Sequence, residues 1–418
     1  MKERPVRSIV RSLGRLSSRW LDPKYLYRKK AVQKLVRRSG FSEKMAAAMI
    51  HAVFGELTEA KLWNLLQSEL REPRFLDGFR FDPLSKKWLR ARGPKRIVHI
   101  FSANIPNAAI TSFVLGMLIK SKNAGKLSSR DAGFLDVYLD SLKTVDKNLW
   151  MSNRLLKPRD KKGILTQLGE ADLVVAYGSD KNLREIRKQV PAATPFFAYG
   201  HRVSVAVYLK EALGQRSALK LARVAAHDVW MADQRGCLSP VTFYVQKGGE
   251  ISPLKFAGHV ASELARIQKK DKRPPKRDIS SYAFAHALSS QYLIEKIQKK
   301  RSHLWESDPR GIWAVGYSES LAPVPAGALQ NISVKGFERF SQVFLALLPI
   351  QRYLQCVALE CSPLERQPIA EILSKLGVSR VCRAGTMQAP PLTWHHDGKP
   401  NLSSWVHWTD LECDKILR

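Results

Sequence analysis

Two α/β units built on mostly parallel sheets are predicted for this chain of 418 residues. Three observations predict them. RIVHIF (96–101), ADLVVAYG (171–178) and VTFYV (241–245) are nearly continuous apolar runs, so they are strands buried on both faces. Each is followed, after a short loop, by a segment of helical periodicity. The alternation of such strands and helices is the pattern of parallel sheets joined by crossover helices.

Residues 1–75 are helical. Arg4, Arg7, Arg11, Arg15 and Arg19 fall at helical spacing with Ile9, Leu13 and Leu16 between them, which makes an amphipathic basic helix. It slightly resembles an organelle transit peptide, but a helix packed on the protein surface ranks above that reading. FSEKMAAAMIHAVF (41–54) starts with a capping-box-like Ser42, and LTEAKLWNLLQSEL (57–70) has Thr58 as its cap. The segment from Leu70 to Lys95 reads as a connector.

The α/β pattern follows. RIVHIF leads through the loop SANIPN to the helix AAITSFVLGMLIKS, a short strand near AGKLS and the helix DAGFLDVYLDSLK. ADLVVAYG opens through SDK into NLREIRKQV, and TPFFAYG and VSVAVYL are further strands. From Arg216 a second unit begins: a helix over Ser217–Ala232, a bend, a strand over Val241–Val245 and the helix SPLKFAGHVASELARI. Then come a helix from Ser280 and strands at GIWAVGY, ISVKGF, LQCVALE and VSRVC. The predicted division is a basic helical region (1–90), a nucleotide-binding domain (91–215), a catalytic domain (216–385) and a C-terminal segment (386–418).

Composition bounds the function. With 44% apolar and 25% charged residues the chain is globular rather than disordered. No apolar run approaches the ~20 residues needed to cross a bilayer. The best, Ala108–Ile119, is interrupted by Thr111 and Ser112. No signal-like h-region is present near the start, so a soluble cytoplasmic protein is expected. Five cysteines without a CxxC pair support neither a zinc site nor a disulfide framework. The net charge is +32, and residues 1–50 hold 14 basic and three acidic side chains. A second basic run, QKKDKRPPKR, lies at 268–277. Such charge attracts polyanions: nucleic acid, anionic lipid, phosphorylated cofactors or an acidic carrier protein. No nucleic-acid-binding signature accompanies it. The charge is therefore either a solvated basic surface or a peripheral contact with an anionic surface, without specific nucleic-acid binding.

Neither GxGxxG nor GxxxxGK[ST] occurs. The stretch QRGCLSPV (234–241) places Cys237 on a tight bend between helix and strand. From these residues alone it is either a small buried hydrophobe or a thiolate offered to a substrate. NIP (104–106), GKLSSRD (125–131), VVAYGSD (174–180), YGHRVS (199–204), DQRGCLSP (233–240) and WHHDGKPNL (394–402) occur in that order. Together they resemble the LuxC-type acyl-CoA reductase family, a branch of the aldehyde dehydrogenase superfamily, over about residues 40–412.

The resemblance implies an aldehyde dehydrogenase-like fold, with a Rossmann-type nucleotide-binding domain and a second α/β catalytic domain. It implies NADPH-dependent reduction of a fatty acyl thioester to an aldehyde, with Cys237 as the acylated nucleophile. The Asn104 amide and the Cys237 N–H would then stabilise the oxyanion. Gly178 and Ser179, at a strand-to-helix turn, would receive the pyrophosphate. Lys126, with Ser128 and Ser129 beside it, would bind the adenosine ribose. Many NAD-preferring relatives carry a glutamate three positions after that lysine. Here Ser129 followed by Arg130 favours the 2′-phosphate of NADPH. Partners implied are acyl-CoA, an acyl carrier or an acyl-activating protein, and a homo-oligomer is expected.

Hydrolytic members of the superfamily place a glutamate where this chain has Gly200-His201. Its absence fits a reductase that protects its thioester. His201 either polarises the thiol, protonates the leaving aldehyde, or is a structural histidine. HHD at 395–397 invites a metal reading, but adjacent histidines point apart and no ligand set accompanies them. For Cys356, Cys361, Cys382 and Cys413 a structural role is expected. Competing readings are a short-chain acylating aldehyde dehydrogenase using NADH, a nucleic-acid or membrane-surface binding protein, and an acyl-transfer protein that keeps only the cysteine.

Overall fold

A computed structural model of the chain describes residues 4–412 apart from 103–106, 130, 158, 272–285, 287–288, 296, 299–300, 308–312 and 324–329. It divides into two units. The first holds Met1–Ser39, Ala46–Gly200 and Pro391–Arg418; the second holds Gly40–Met45 and His201–Pro390.

The first unit begins with four helices: α1 (Val6–Leu21), α2 (Leu26–Ser39), α3 (Glu43–Glu56, mostly in this unit) and α4 (Glu59–Leu70). The arginine periodicity of the N-terminus does form a helix, and its apolar side is built into the fold. Val6, Ile9, Val10, Leu13, Leu16 and Trp20 of α1 are buried, while Arg7, Arg11, Arg15 and Arg19 are exposed. Trp20 stacks on Phe54 at 4.6 Å and donates from its indole N–H to Ser141 Oγ (2.9 Å). A cluster of aromatic rings thus ties the basic helix to the rest of the unit.

The segment expected as a connector is instead partly strand. β1 (Arg80–Asp82) and β2 (Lys87–Arg92) pair antiparallel, and β15 (His407–Leu411) pairs with β2. Leu89 and Ala91 are buried, with Arg90 between them on the other face. This three-stranded sheet brings together segments about 315 residues apart in sequence, a pairing that local pattern does not reveal.

The central sheet of this unit is five-stranded and wholly parallel: β3 (Arg96–Ile100), β4 (Lys122–Lys126), β5 (Asn153–Leu156), β6 (Leu173–Tyr177) and β7 (Phe196–Tyr199). Their spatial order is β5-β4-β3-β6-β7. The helices α5 (Asn107–Leu118), α6 (Phe134–Leu142), α7 (Lys147–Met151), α8 (Lys161–Gly169) and α9 (Asp180–Arg187) connect them. Counted from β3 this is the 3-2-1-4-5 order of a doubly wound sheet. The winding reverses between β3 and β6, so the ligand crevice belongs at their carboxyl ends.

The second unit carries α10 (Gln215–Trp230), α11 (Pro253–Lys270), α12 (Phe340–Leu347) and α13 (Pro363–Lys375). Its sheet has seven strands in the order β10-β11-β12-β9-β8-β13-β14. They are β8 (Val203–Tyr208), β9 (Pro240–Gln246), β10 (Ser302–Glu306), β11 (Ala314–Ser318), β12 (Asn331–Phe337), β13 (Leu354–Glu360) and β14 (Arg380–Cys382). All neighbours pair parallel except β10 with β11.

Three details differ from the sequence expectation. β8 is a central strand of the second sheet, so the boundary falls at Gly200/His201 rather than after Gln215; an apolar strand cannot announce which sheet it will join. Residues 391–418 and the N-terminal helices belong to the first unit instead of forming regions of their own. β5 and β10, polar and half-exposed, were not anticipated. The start of the helix expected from Ser280 lies outside the described residues.

Candidate active site

The bend that carries Cys237 is built by an abrupt end to α10. The helix was expected to reach Ala232 but stops at Trp230. Ala232 (φ 55°), Asp233 (φ 52°) and Gln234 (φ 56°) then all take the left-handed conformation. For residues with a Cβ this costs about 1–2 kcal/mol each, and such strain persists only where the surroundings over-determine it.

Here they do. Gln234, almost fully buried, donates from Nε2 to the carbonyls of Pro240 (2.6 Å) and Asn331 (2.9 Å). Its Oε1 accepts the Asn331 N–H at 2.9 Å. Gln330 donates to Asp233 Oδ1 (2.9 Å), Arg235 pairs with Asp233 (3.3 Å), and the Arg235 guanidinium lies 4.9 Å over the Phe41 ring. The turn is thereby sewn to the amino ends of β9 and β12.

Cys237 follows three residues later as a partly exposed thiol outside any disulfide. Its carbonyl accepts a hydrogen bond from Ser204 Oγ (2.7 Å), which fixes the backbone against the start of β8. Ser239 Oγ accepts from Gln388 Nε2 at 2.7 Å. The segment bearing Gln388 is itself held by Asp228 in the last turn of α10, which accepts the N–H groups of Gly385 (2.6 Å) and Met387 (3.2 Å). Burial pushes the Asp228 carboxyl up to about 7. Cys237 thus sits on a braced, partly exposed bend.

The other described cysteines are placed differently. Cys356 and Cys382 are buried on neighbouring strands with their sulfurs 3.6 Å apart. Their mutual hydrogen bond raises the Cys356 thiol and lowers that of Cys382, helped by Arg380. Cys361 is half-buried, its thiol raised by burial. Cys413 lies outside the described residues. His201 is exposed just before β8 and meets the Tyr353 ring edge-on, 5.9 Å between centroids.

The cofactor candidates line the carboxyl edge of the parallel sheet in the first unit. Lys126 is the last residue of β4, half-buried, opposite Ile100 in register. Ser128 and Asp131 close a turn through the Asp131 N–H (3.0 Å), which leaves Ser129 exposed at its tip. The nearby carboxylate of Asp131 is engaged by the Gly133 N–H at 2.6 Å. Ser179 is the N-cap of α9, its hydroxyl accepting from Asn182 N–H (3.4 Å). The Gly178 N–H, expected as an anion donor, donates instead to the Tyr199 carbonyl (3.2 Å). A Cβ at Gly200 would come within 2.7 Å of Asp180 Oδ1, so a larger residue there would have to displace the Asp180 side chain. Asn104 and Arg130 lie outside the described residues.

Sequence reasoning missed Gln234, Asn331 and Asp228. Gln234 was within the quoted motif, but nothing local signals that its amide grips a strand 97 residues away. No group of three or more metal-ligating side chains occurs among the described residues, and no described helix is long and apolar enough to cross a membrane.

A doubly wound sheet in one unit and a braced cysteine at a strand start in the other define the aldehyde dehydrogenase fold. Solved structures agree. A NAD-dependent benzaldehyde dehydrogenase from Corynebacterium glutamicum superposes with TM-score 0.69 at 12% identity, covering 98% of this chain and 86% of that one. Betaine aldehyde dehydrogenase from Staphylococcus aureus gives 0.71 at 12% identity, covering 98% and 83%. Within that fold, the model of the acyl-CoA reductase (LuxC) family matches residues 1–408, and the chain belongs to this family of oxidoreductases. It is 21% identical to long-chain acyl-protein thioester reductase 2 of Photobacterium leiognathi, over 97% of this chain and 82% of that protein. It is 25% identical to the corresponding reductase of Aliivibrio fischeri, over 62% of this chain and 54% of that one.

Proposed function

We propose that the protein reduces a fatty acyl thioester to the aldehyde with NADPH, through an S-acyl intermediate on Cys237. The observation that carries this is the partly exposed Cys237 thiol on a strained, over-determined turn. The thiolate attacks the acyl carbonyl of the donor, and the donor's sulfur leaves as a thiolate. One thioester replaces another, so the step is nearly balanced in energy. When bound, the dinucleotide supplies a hydride to the acyl carbon. The Cys237 thiolate then departs as the aldehyde carbonyl re-forms.

Hydride addition develops negative charge on the carbonyl oxygen. The Cys237 N–H and Asn104 are the donors assigned to it. Lys126, Ser128 and Ser129 would hold the adenosine ribose. Phosphates would lie near Ser179 at the amino end of α9, where the helix dipole favours anions. The exposed Ser129, with Asp131 turned to its own loop, leaves room for a 2′-phosphate. The acyl donor is an acylated protein or acyl-CoA, and a thiol kept out of any disulfide suits the reducing cytoplasm.

The test is single-turnover labelling with an acyl-CoA of long chain. Cys237→Ser should abolish both S-acylation and aldehyde formation, while Cys356→Ser leaves acylation intact. Acyl groups mapped by mass spectrometry to any residue other than Cys237 would refute the assignment.

A further inference from the structure

The motif WHHDGKPNL has no part in the chemistry above, yet its segment is anchored in the first unit by a set of side-chain hydrogen bonds. The Glu69 carboxylate accepts the N–H groups of Asn401 (2.8 Å), Leu402 (2.5 Å) and Ser403 (2.9 Å). Glu56 accepts the Leu392 N–H at 2.9 Å. Asn401 Nδ2 donates to the carbonyls of Leu392 (3.2 Å) and Trp394 (2.7 Å). His396 and Lys399 form a bridge around a turn in which Asp397 takes φ 54°.

From this base the segment sends two rings onto the carboxyl edge of the parallel sheet. Trp394 stacks on His396 at 4.9 Å, and His396 stacks on Tyr199 at 4.2 Å with 17° between planes. Tyr199 stacks on Tyr177 at 4.7 Å, and Tyr177 on Phe101 at 5.5 Å. Tyr177 and Tyr199 are the last residues of β6 and β7, and Phe101 directly follows β3. The rings therefore extend across the point where the winding of the sheet reverses. Tyr177 immediately precedes Gly178 and Ser179, and the Tyr199 carbonyl holds the Gly178 N–H. The His396 and Tyr177 rings also approach each other directly, 6.3 Å between centroids and tilted by 34°, so the rings form one bent cluster that clamps the ends of β6 and β7.

We propose that this C-terminal hairpin is part of the dinucleotide site. His396, by stacking on Tyr199, holds the Tyr177–Ser179 turn in the shape that receives the cofactor's phosphates. This rests on the cofactor reading above. His396 is then a positioning residue, acting through the face of its ring rather than through proton transfer or metal ligation.

The test is calorimetric titration of NADPH into the whole protein, with thermal melting and the pH dependence of binding measured in parallel. Aromatic stacking of this kind supports roughly a two- to tenfold effect. His396→Ala should weaken NADPH binding by that factor. His396→Phe should restore it with the same pH dependence as the parent. His396→Ala binding like the parent, or His396→Phe binding as weakly as His396→Ala, overturns the clamp. Should His396→Ala not fold, Trp394→Ala removes only the end of the cluster and should still weaken binding; unchanged binding overturns the proposal. A parent protein that binds neither NADPH nor NADH overturns the cofactor reading, and the clamp with it.

Discussion

The side-chain amide of Gln234 mimics a β-ladder partner for the backbone of Asn331. It accepts the Asn331 N–H and donates to the Asn331 carbonyl, both at 2.9 Å. Through this pairing the turn ahead of Cys237 is fastened to the amino end of β12. Gln234→Ala would leave a buried N–H and two carbonyls without partners while the left-handed strain remains. The expected loss is on the order of 3 kcal/mol, read as a lower melting temperature. The rate of Cys237 alkylation by iodoacetamide should change, while that of Cys361 stays at the parent value. An unchanged Cys237 rate would show that the turn does not position the thiol.

Cofactor choice is expected to depend on the tip of the turn at Ser129. NADPH should be preferred to NADH, and Ser129→Glu should weaken NADPH selectively by setting a carboxylate against the 2′-phosphate. Loss of one charge-assisted hydrogen bond corresponds to about 1.5–3 kcal/mol, so the selectivity should shift about tenfold or more. Steady-state kinetics with both cofactors measures it. Equal use of the two by the parent would contradict the assignment.

His201 bears on whether the thioester survives. The pre-formed S-acyl enzyme should persist in buffer and discharge quickly once NADPH is added. His201→Glu should gain hydrolysis to the free acid, because a carboxylate there activates water, an effect of ~10²–10⁴-fold when the geometry is right. Rapid hydrolysis of the parent acyl-enzyme without cofactor would mean that another group already activates water, and the reductase mechanism would fail at that step.

His99 sets an acid limit on the first unit. It is fully buried in β3, with Nδ1 2.9 Å from Ser112 Oγ and Nε2 2.9 Å from Asn123 Oδ1. Burial lowers its pKa from 6.5 to about 4. The unfolded chain then binds the proton more readily than the native one. His99 therefore costs no stability above about pH 6.5, and stability falls as the pH drops from there toward 4. A shift of this size corresponds to about 3 kcal/mol. Urea denaturation between pH 7 and pH 4 should show a smaller decline in His99→Gln than in the parent; an equal decline would place the acid sensitivity elsewhere.

The local pattern of this chain determined its α/β class. Val98, Val174 and Val205 lie in apolar runs too continuous for anything but doubly buried strands, and Ser179 caps α9 where a polar residue was expected to open a helix. The bend at Cys237 was legible for the same reason, since glycine and proline interrupt two regular elements there. Which sheet β8 would join, and that β2 would pair with β15, was decided only in three dimensions. Hydrophobic runs state that a strand is buried but not beside what. The left-handed turn belongs to the same category: Ala232, Asp233 and Gln234 have no intrinsic preference for it, and contacts from Gln330 and Asn331, 97 residues distant, hold it. The stacking of His396 on Tyr199 is likewise a long-range product. Backbone propensity and hydrophobic periodicity are written in neighbouring residues of the chain, whereas strain and ring stacking are set by whatever the completed fold brings within reach.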